Sequence, residues 1–300
     1  MLAQRLNYGD AIGIFFPSHI PEPERFERNI WTLERLGFKV KLGENAEKDT
    51  YGYAASAEER AADLNALVAD DNVKMVLFGG GDSAAEILPH IDYDGIRRRP
   101  KLFTSYSDGT VILNAIYSQT GLVTYYGSGP GIFEDLRLYN WEQFKSHFVA
   151  GQSAAEFVSD SKWRTLRGGS GAGTLIGGYT ALFAALLGSP YFKYDRGREY
   201  LLLLEDHERY SSPAAVATWL AFAEQSELMK NVKGLIFGHY AVEAPDELLR
   251  LLERFGERNN IPVVYTDDFG HGTKHAILPI GVDAALDADK QTLTFLGERK

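Results

Sequence analysis

Along the first 120 residues, short apolar runs alternate with stretches whose apolar positions recur every three or four residues. Ala11 to Phe16 is rich in Ile and Phe and is stopped by Pro17-Ser18, which predicts a buried strand. Phe26, Ile30, Leu33 and Leu36 then fall on one helical face, and Gly37 closes that helix. Phe38 to Val40 predicts a second strand, and Ser56 with Glu59 forms a capping-box pattern that opens a helix running to Ala69. Val73 to Phe78 (VKMVLF) is another buried-strand run, ending at Gly79-Gly80-Gly81. Lys101 to Ser105 predicts a fourth strand, and Thr110 to Thr120 a helix closed by Gly121. Strands separated by helices imply right-handed crossovers and a mainly parallel sheet.

Leu138, Trp141, Phe144 and Phe148 place a further helix between Leu136 and Ala150. Residues 151–173 then turn small and polar, which predicts a boundary: an N-terminal domain over 1–150, a linker over 151–170 and a second domain over 171–300. Within the second domain the pattern predicts a small-residue helix from Thr174 to Leu187 and a strand from Tyr200 to Leu204. A helix opened by Ser212-Pro213 follows, then a strand from Gly234 to Phe237, a helix from Pro245 to Phe255 and a strand from Pro262 to Tyr265. The segment VDAALDADKQTLTFL reads as a hairpin around an Asp-rich turn. The expected class is α/β.

Composition narrows the chemistry. With 45% hydrophobic and 24% charged residues the chain builds a substantial core, and a net charge of -10 argues against nucleic acid as a partner. The basic run Arg97-Arg98-Arg99 with Lys101 is read as a solvated helix end. Zero cysteines excludes thiol catalysis, thiolate metal sites and disulfides, and fits a reducing compartment. Apolar runs fall short of the roughly 18 residues that span a bilayer, and Ala11 to Phe16 is too short for a signal peptide, so no membrane and a cytoplasmic location are expected.

Ligands of doubly wound sheets gather at the carboxyl ends of strands. Gly79-Gly80-Gly81-Asp82-Ser83 lacks both the P-loop and the dinucleotide fingerprint, and reads either as a tight turn or as an oxyanion or carboxylate nest. Ser105-Tyr106-Ser107-Asp108-Gly109 lies between a strand and a helix, where Ser107 is either a helix N-cap or a nucleophile raised on a sharp elbow. Glu205 ends the apolar strand YLLLLE and is either solvated there or desolvated against a partner. Among seven histidines, His271 stands out because Gly270 and Gly272 leave its ring unobstructed; His207, His239 and His275 compete by composition. His271 and His275 have metal-ligand spacing, but Gly272 and Pro279 disfavour a helix there, so no metal is expected.

The run ILPHIDYDGIRRRPKLFTSYSDGTVILNAIYSQTGLVTYYG resembles the nucleophile region of the LD-carboxypeptidase family of serine peptidases, most closely its microcin-immunity branch. The resemblance continues through the segment Gly9 to Ser18, the turn at Gly79, LIGGYTALFAALLGSPYF, the segment ending at Glu205, and DFGHGTKHAILPIG. It implies a Rossmann-like N-terminal domain bearing the serine, a barrel-like C-terminal domain bearing the other residues, and a site in the cleft between them. It implies a Ser-Glu-His triad of Ser107, Glu205 and His271, no cofactor, and a homodimer. The amides of Gly80 and Asp108 are the expected oxyanion donors, with Gly79, Gly81, Asp82 and Trp163 as substrate contacts.

The implied activity is amide hydrolysis, either of a muramoyl tetrapeptide or of a peptidyl- or aminoacyl-nucleotide toxin. The pattern departs from the family in places. Phe78 stands where peptidoglycan-cleaving members usually have Arg, which weakens the murein reading. Ser105 replaces a glycine and Tyr179 an asparagine. An aromatic stacking on adenine is usual in the immunity branch, and Trp163 or Trp141 would fill that role. The alternative is a small-ligand binding protein with an idle triad on the same scaffold.

Overall fold

The computed structural model describes residues 1–150 and 155–297. It divides into two compact units, Met1–Ser153 and Ala154–Lys300. Residues 151–154 of the expected linker, and the last three residues of the chain, lie outside the described residues.

The first unit alternates β1 (Ala11–Phe15), α1 (Pro23–Arg35), β2 (Lys39–Leu42), α2 (Ala57–Ala69), β3 (Val73–Phe78), α3 (Tyr93–Arg98), β4 (Leu102–Ser105), α4 (Gly109–Thr120), β5 (Thr124–Tyr126) and α5 (Leu138–Phe148). Its strands pair in parallel in the order β2-β1-β3-β4-β5. This doubly wound arrangement has its switch point between β1 and β3, where the outgoing loops diverge. The local chemistry matches the pattern. Ser56 Oγ accepts from the Glu59 amide while the Glu59 carboxylate accepts from the Ser56 amide, completing the capping box. Gly37, at φ 95°, follows α1; its amide reaches the Glu34 carbonyl and the Phe38 amide the Leu33 carbonyl, a Schellman closure. From Met75 to Phe78, β3 is fully buried, as its unbroken apolar run requires.

The second unit holds β6 (Arg164–Arg167), β7 (Ser170–Tyr179), α6 (Thr180–Leu186), β8 (Tyr200–Glu205), α7 (Pro213–Glu224), β9 (Val232–His239), α8 (Asp246–Asn259), β10 (Val263–Gly270), β11 (Leu278–Ile280), β12 (Asp283–Asp287) and β13 (Thr292–Gly297). Its mixed sheet runs β13-β12-β7-β8-β9-β10-β6 and curls as a half-barrel. The four central strands are parallel, while β12, β13 and β6 pair antiparallel. The predicted hairpin at 282–296 is β12–β13.

Two expectations change. The small-residue helix expected from Thr174 to Leu187 is instead the end of β7 followed by the shorter α6. Gly177 has φ 132°, and a Cβ there would lie 1.9 Å from the Leu203 carbonyl of β8, so the strand exists because glycine lets the two backbones approach. Two glycines in a helix interior would instead cost it about 1 kcal/mol each. The expected linker, in turn, contains β6, which pairs with β10 inside the second unit.

Candidate active site

Ser107 sits on the bend between β4 and α4. Its φ is 57°, one of three positive values at non-glycine residues among the described residues. That conformation costs on the order of 1–3 kcal/mol and persists only where neighbours hold it. Here the Ser107 amide donates to the hydroxyl of buried Tyr126 at 2.9 Å, and the Thr110 amide and hydroxyl both donate to the Ser107 carbonyl. Ser105 is fully buried and donates to the Phe78 carbonyl at 2.8 Å. Room for it comes from Gly109, where a Cβ would lie 2.1 Å from the Ser105 hydroxyl.

The glycine turn after β3 lies against this bend. A Cβ on Gly80 would come within 2.9 Å of Ser107 Cβ and 3.3 Å of its Oγ, so the Gly80 backbone touches the serine. Gly81 packs on the loop after β1, its Cβ position 2.3 Å from Ser18 Cβ, and Gly79 on His19 and Phe16. Asp108 opens α4, and its amide points from the helix N-terminus where no intrahelical acceptor exists. Its carboxylate has a second task that the sequence did not reveal: it accepts from Ser18 Oγ at 2.6 Å and from the Ala84 amide at 2.7 Å. Burial raises the Asp108 carboxyl pKa, and those donors work against the rise. Asp82 is exposed on the same turn. Phe78 is fully buried, its ring tilted against Phe15 in the core.

Arg60 on α2 is a residue that the sequence pattern does not single out. It is 1% exposed; its guanidinium donates to the Pro17 carbonyl, to the Ser83 carbonyl and hydroxyl, and to the Glu86 carboxylate. One side chain therefore joins the loop after β1 to the segment after the glycine turn.

In the second unit, Glu205 ends β8 with no exposed surface, and its Oε2 lies 2.9 Å from His271 Nδ1. The desolvated alternative for Glu205 is the one observed. Gly270, at φ 106°, makes the pair fit, since a Cβ there would be 3.0 Å from that oxygen. Burial pulls the His271 imidazole down, but the Glu205 charge and hydrogen bond outweigh it and leave the pKa raised. The pairing at Nδ1 fixes the orientation of the His271 ring. Tyr179 lies edge-on to His271 with centroids 5.4 Å apart.

Two of the competing histidines, His207 and His239, stand close by. His207 is 5.8 Å from His271 and 6.0 Å from His239 between ring centroids, and His239 Nδ1 pairs with Asp267 at 2.8 Å. Buried Asp206 is raised to about 6, by burial first. Among the described residues, no group of three or more His, Asp or Glu is arranged to hold a metal, and no helix is long and apolar enough to cross a membrane. Trp163 is 3% exposed, packs edge-on to Phe157 and donates to Asp268 at 3.3 Å.

Comparison with known proteins agrees with this frame. Residues 12–127 match the LD-carboxypeptidase N-terminal domain and residues 172–286 the LD-carboxypeptidase C-terminal domain. A probable murein peptide carboxypeptidase of Bacillus subtilis (strain 168) is 31% identical over 96% of this chain and 92% of its own length. The microcin C7 self-immunity protein MccF of Escherichia coli is 28% identical over 98% of this chain and 95% of its own. A solved structure of microcin C7 self-immunity protein MccF in complex with aspartyl sulfamoyl adenosine, 25% identical, superposes with a TM-score of 0.86, covering 100% of this chain and 99% of that one.

Proposed function

Because the chain belongs to the LD-carboxypeptidase family, whose peptidase chemistry it carries, we propose that it hydrolyses an amide through Ser107, Glu205 and His271. The observation that carries the proposal is the buried Glu205 carboxylate 2.9 Å from His271 Nδ1. A carboxylate without exposed surface is costly unless it serves a partner, and here it orients one imidazole tautomer and stabilises the imidazolium.

In this reading His271 takes the Ser107 proton through Nε2 while the serine oxygen attacks the amide carbonyl. The developing oxyanion is held by the amides of Gly80 and Asp108, each donor worth roughly 10²–10³ in kcat. His271 then returns the proton to the leaving nitrogen, and water attacks the acyl-enzyme with His271 again as base. The reaction requires no cofactor.

The relatives' names support two substrate classes: a murein peptide, or an aminoacyl-nucleotide of the kind bound by MccF. The nucleotide class is favoured by buried, apolar Phe78 at the position where murein-cleaving members carry a cation. Turnover of an aminoacyl-sulfamoyl adenosine and of an L,D-muramoyl tetrapeptide, followed by mass spectrometry with Ser107→Ala as control, tests it. Cleavage of the adenosine substrate that disappears in the variant is expected. Release of D-alanine alone would move the substrate to murein peptides, and unchanged turnover in Ser107→Ala would overturn the triad. A homodimer in the cytoplasm is the assembly that goes with this reading, and light scattering on the purified chain checks it.

A further inference from the structure

In the second unit β9 lies between β8 and β10, and these three parallel strands end at Glu205, His239 and Gly270. β10 does not follow its neighbour evenly. Tyr265 pairs with Phe237 and Gly270 with His239, so five steps along β10 answer two along β9 and three residues are extra. The bulge carries the chain past the end of β9. A Cβ on Gly270 would consequently lie 3.0 Å from Glu205 Oε2, although β9 separates their strands. The reach of His271 to Glu205 depends on how this bulge is held.

Two adjacent carboxylates hold it. Asp268, fully buried, accepts from Ser159 Oγ at 2.7 Å and from Thr266 Oγ1 at 2.8 Å. Asp267 turns to β9: its Oδ1 lies 2.8 Å from His239 Nδ1 and accepts from the Tyr265 hydroxyl at 2.8 Å. Burial raises the Asp267 carboxyl, but the His239 and Tyr265 hydrogen bonds outweigh it and leave the pKa lowered. An ionised carboxylate offers only acceptors, so His239 donates through Nδ1. Past His271, a Cβ on Gly272 would lie 2.9 Å from His239 Cγ, so that backbone rests on the same ring. His239 therefore meets the chain on both sides of His271, at Asp267 and at Gly272.

We propose that His239 is a positioning residue for His271: with Asp267 it forms a second carboxylate–imidazole pair that fixes the Gly270–Gly272 loop and so the contact between His271 and Glu205. Its consequence for rate rests on the reading of His271 as general base; its consequence for the Glu205 contact does not. The groups that face His271 are Glu205, Asp206, His207 and Tyr210 at the end of β8 and Tyr179 at the end of β7. Removing the His239 ring leaves all of them in place. Its direct effects, the loss of a neighbouring group that can become cationic and easier access of water, both raise the His271 pKa. Loosening the Glu205 contact lowers it, because the Glu205 charge and hydrogen bond hold it up against burial. The sign of the change thus isolates positioning.

The test is His239→Ala in the full chain, read by NMR titration of the histidines and by the rate at which a fluorophosphonate labels Ser107 on the alkaline plateau. The His271 pKa is expected to fall below the parent's, and labelling to slow by about 10²-fold, the scale of a small misplacement of a reacting group. His239→Asn places an amide nitrogen where Nδ1 stands and keeps an atom beneath Gly272, so it should restore the pKa and most of the labelling rate. Asp267→Ala, at a partly exposed position, removes the same anchor and carries the test if His239→Ala does not fold. A His271 pKa that is unmoved or raised in the folded variant overturns the positioning role, as does a His239→Asn protein that behaves like His239→Ala. A fallen pKa with labelling unchanged overturns His271 as the base and leaves its positioning by His239 standing.

Discussion

His271 Nδ1 and Glu205 Oε2 stand 2.9 Å apart although 66 positions separate them in the chain, and the carboxylate is fully buried. Glu205 is what holds the His271 pKa above its ordinary value against burial. A general base works in its neutral form, so kcat/KM should fall as pH drops through that raised value. Glu205→Gln removes the charge and leaves burial dominant, so the acid limb should move to lower pH while the plateau drops by about 10²–10⁴-fold. A pH–rate profile of both proteins checks this; an unmoved limb would detach it from His271.

Gly80 admits no side chain without displacing Ser107, because the new Cβ would come within 2.9 Å of the serine Cβ. Gly80→Ala is expected to lower kcat by roughly 10²-fold through misplacement of the reacting oxygen. Thermal unfolding, which should shift by only a few degrees, separates this from a folding defect.

Asp206 is raised to about 6 by burial, and its Oδ1 accepts from the His207 amide at 2.8 Å. Between the ordinary value and about 6 the folded state binds a proton that the unfolded state has released, so stability declines as pH rises through that window. Below the window the penalty is absent, and above it the penalty is complete, at about 3 kcal/mol. Asp206→Asn mimics the protonated form. Its melting temperature should match the parent near the bottom of the window and exceed it above pH 7, which calorimetry at several pH values reads directly.

Arg60 bridges the Pro17 carbonyl, Ser83 and Glu86 from a buried position on α2. Arg60→Met leaves those acceptors without their donor and should destabilise the first unit by about 1–3 kcal/mol. The turn bearing Gly80 should loosen with it, lowering kcat more than it changes KM. Denaturant unfolding with steady-state kinetics measures both, and equal kcat in a destabilised variant would make Arg60 purely structural.

Much of this molecule was legible before its coordinates. The alternation of VKMVLF-type runs with amphipathic stretches placed β1, β3, β4, β8 and most helices, because a buried parallel strand and a half-buried helix need different spacings of apolar residues. Collinear motifs marked Ser107, Glu205 and His271. The segment from Thr174 was misread because small residues satisfy either period, and only the approach of the β8 backbone, which glycine permits, decides for strand. The burial of Trp163 was not legible, because an aromatic side chain carries no signal of which face it will find.

What the order of residues determined was local: where strands and helices begin, which bends carry glycine, and which chemistry-bearing residues stand at strand ends. Propensity, capping and periodicity act over a few residues, so they can be read there. What only the tertiary structure decided was the company those residues keep. Asn29 on α1 has an unpartnered oxygen facing no donor of its own, Arg60 is buried under loops 43 and 23 positions away, and Asp108 latches Ser18 across 90 positions. These relationships arise because the sheet order brings the ends of β1, β3 and β4 together, and burial then forces each polar group there to find a partner or do without one.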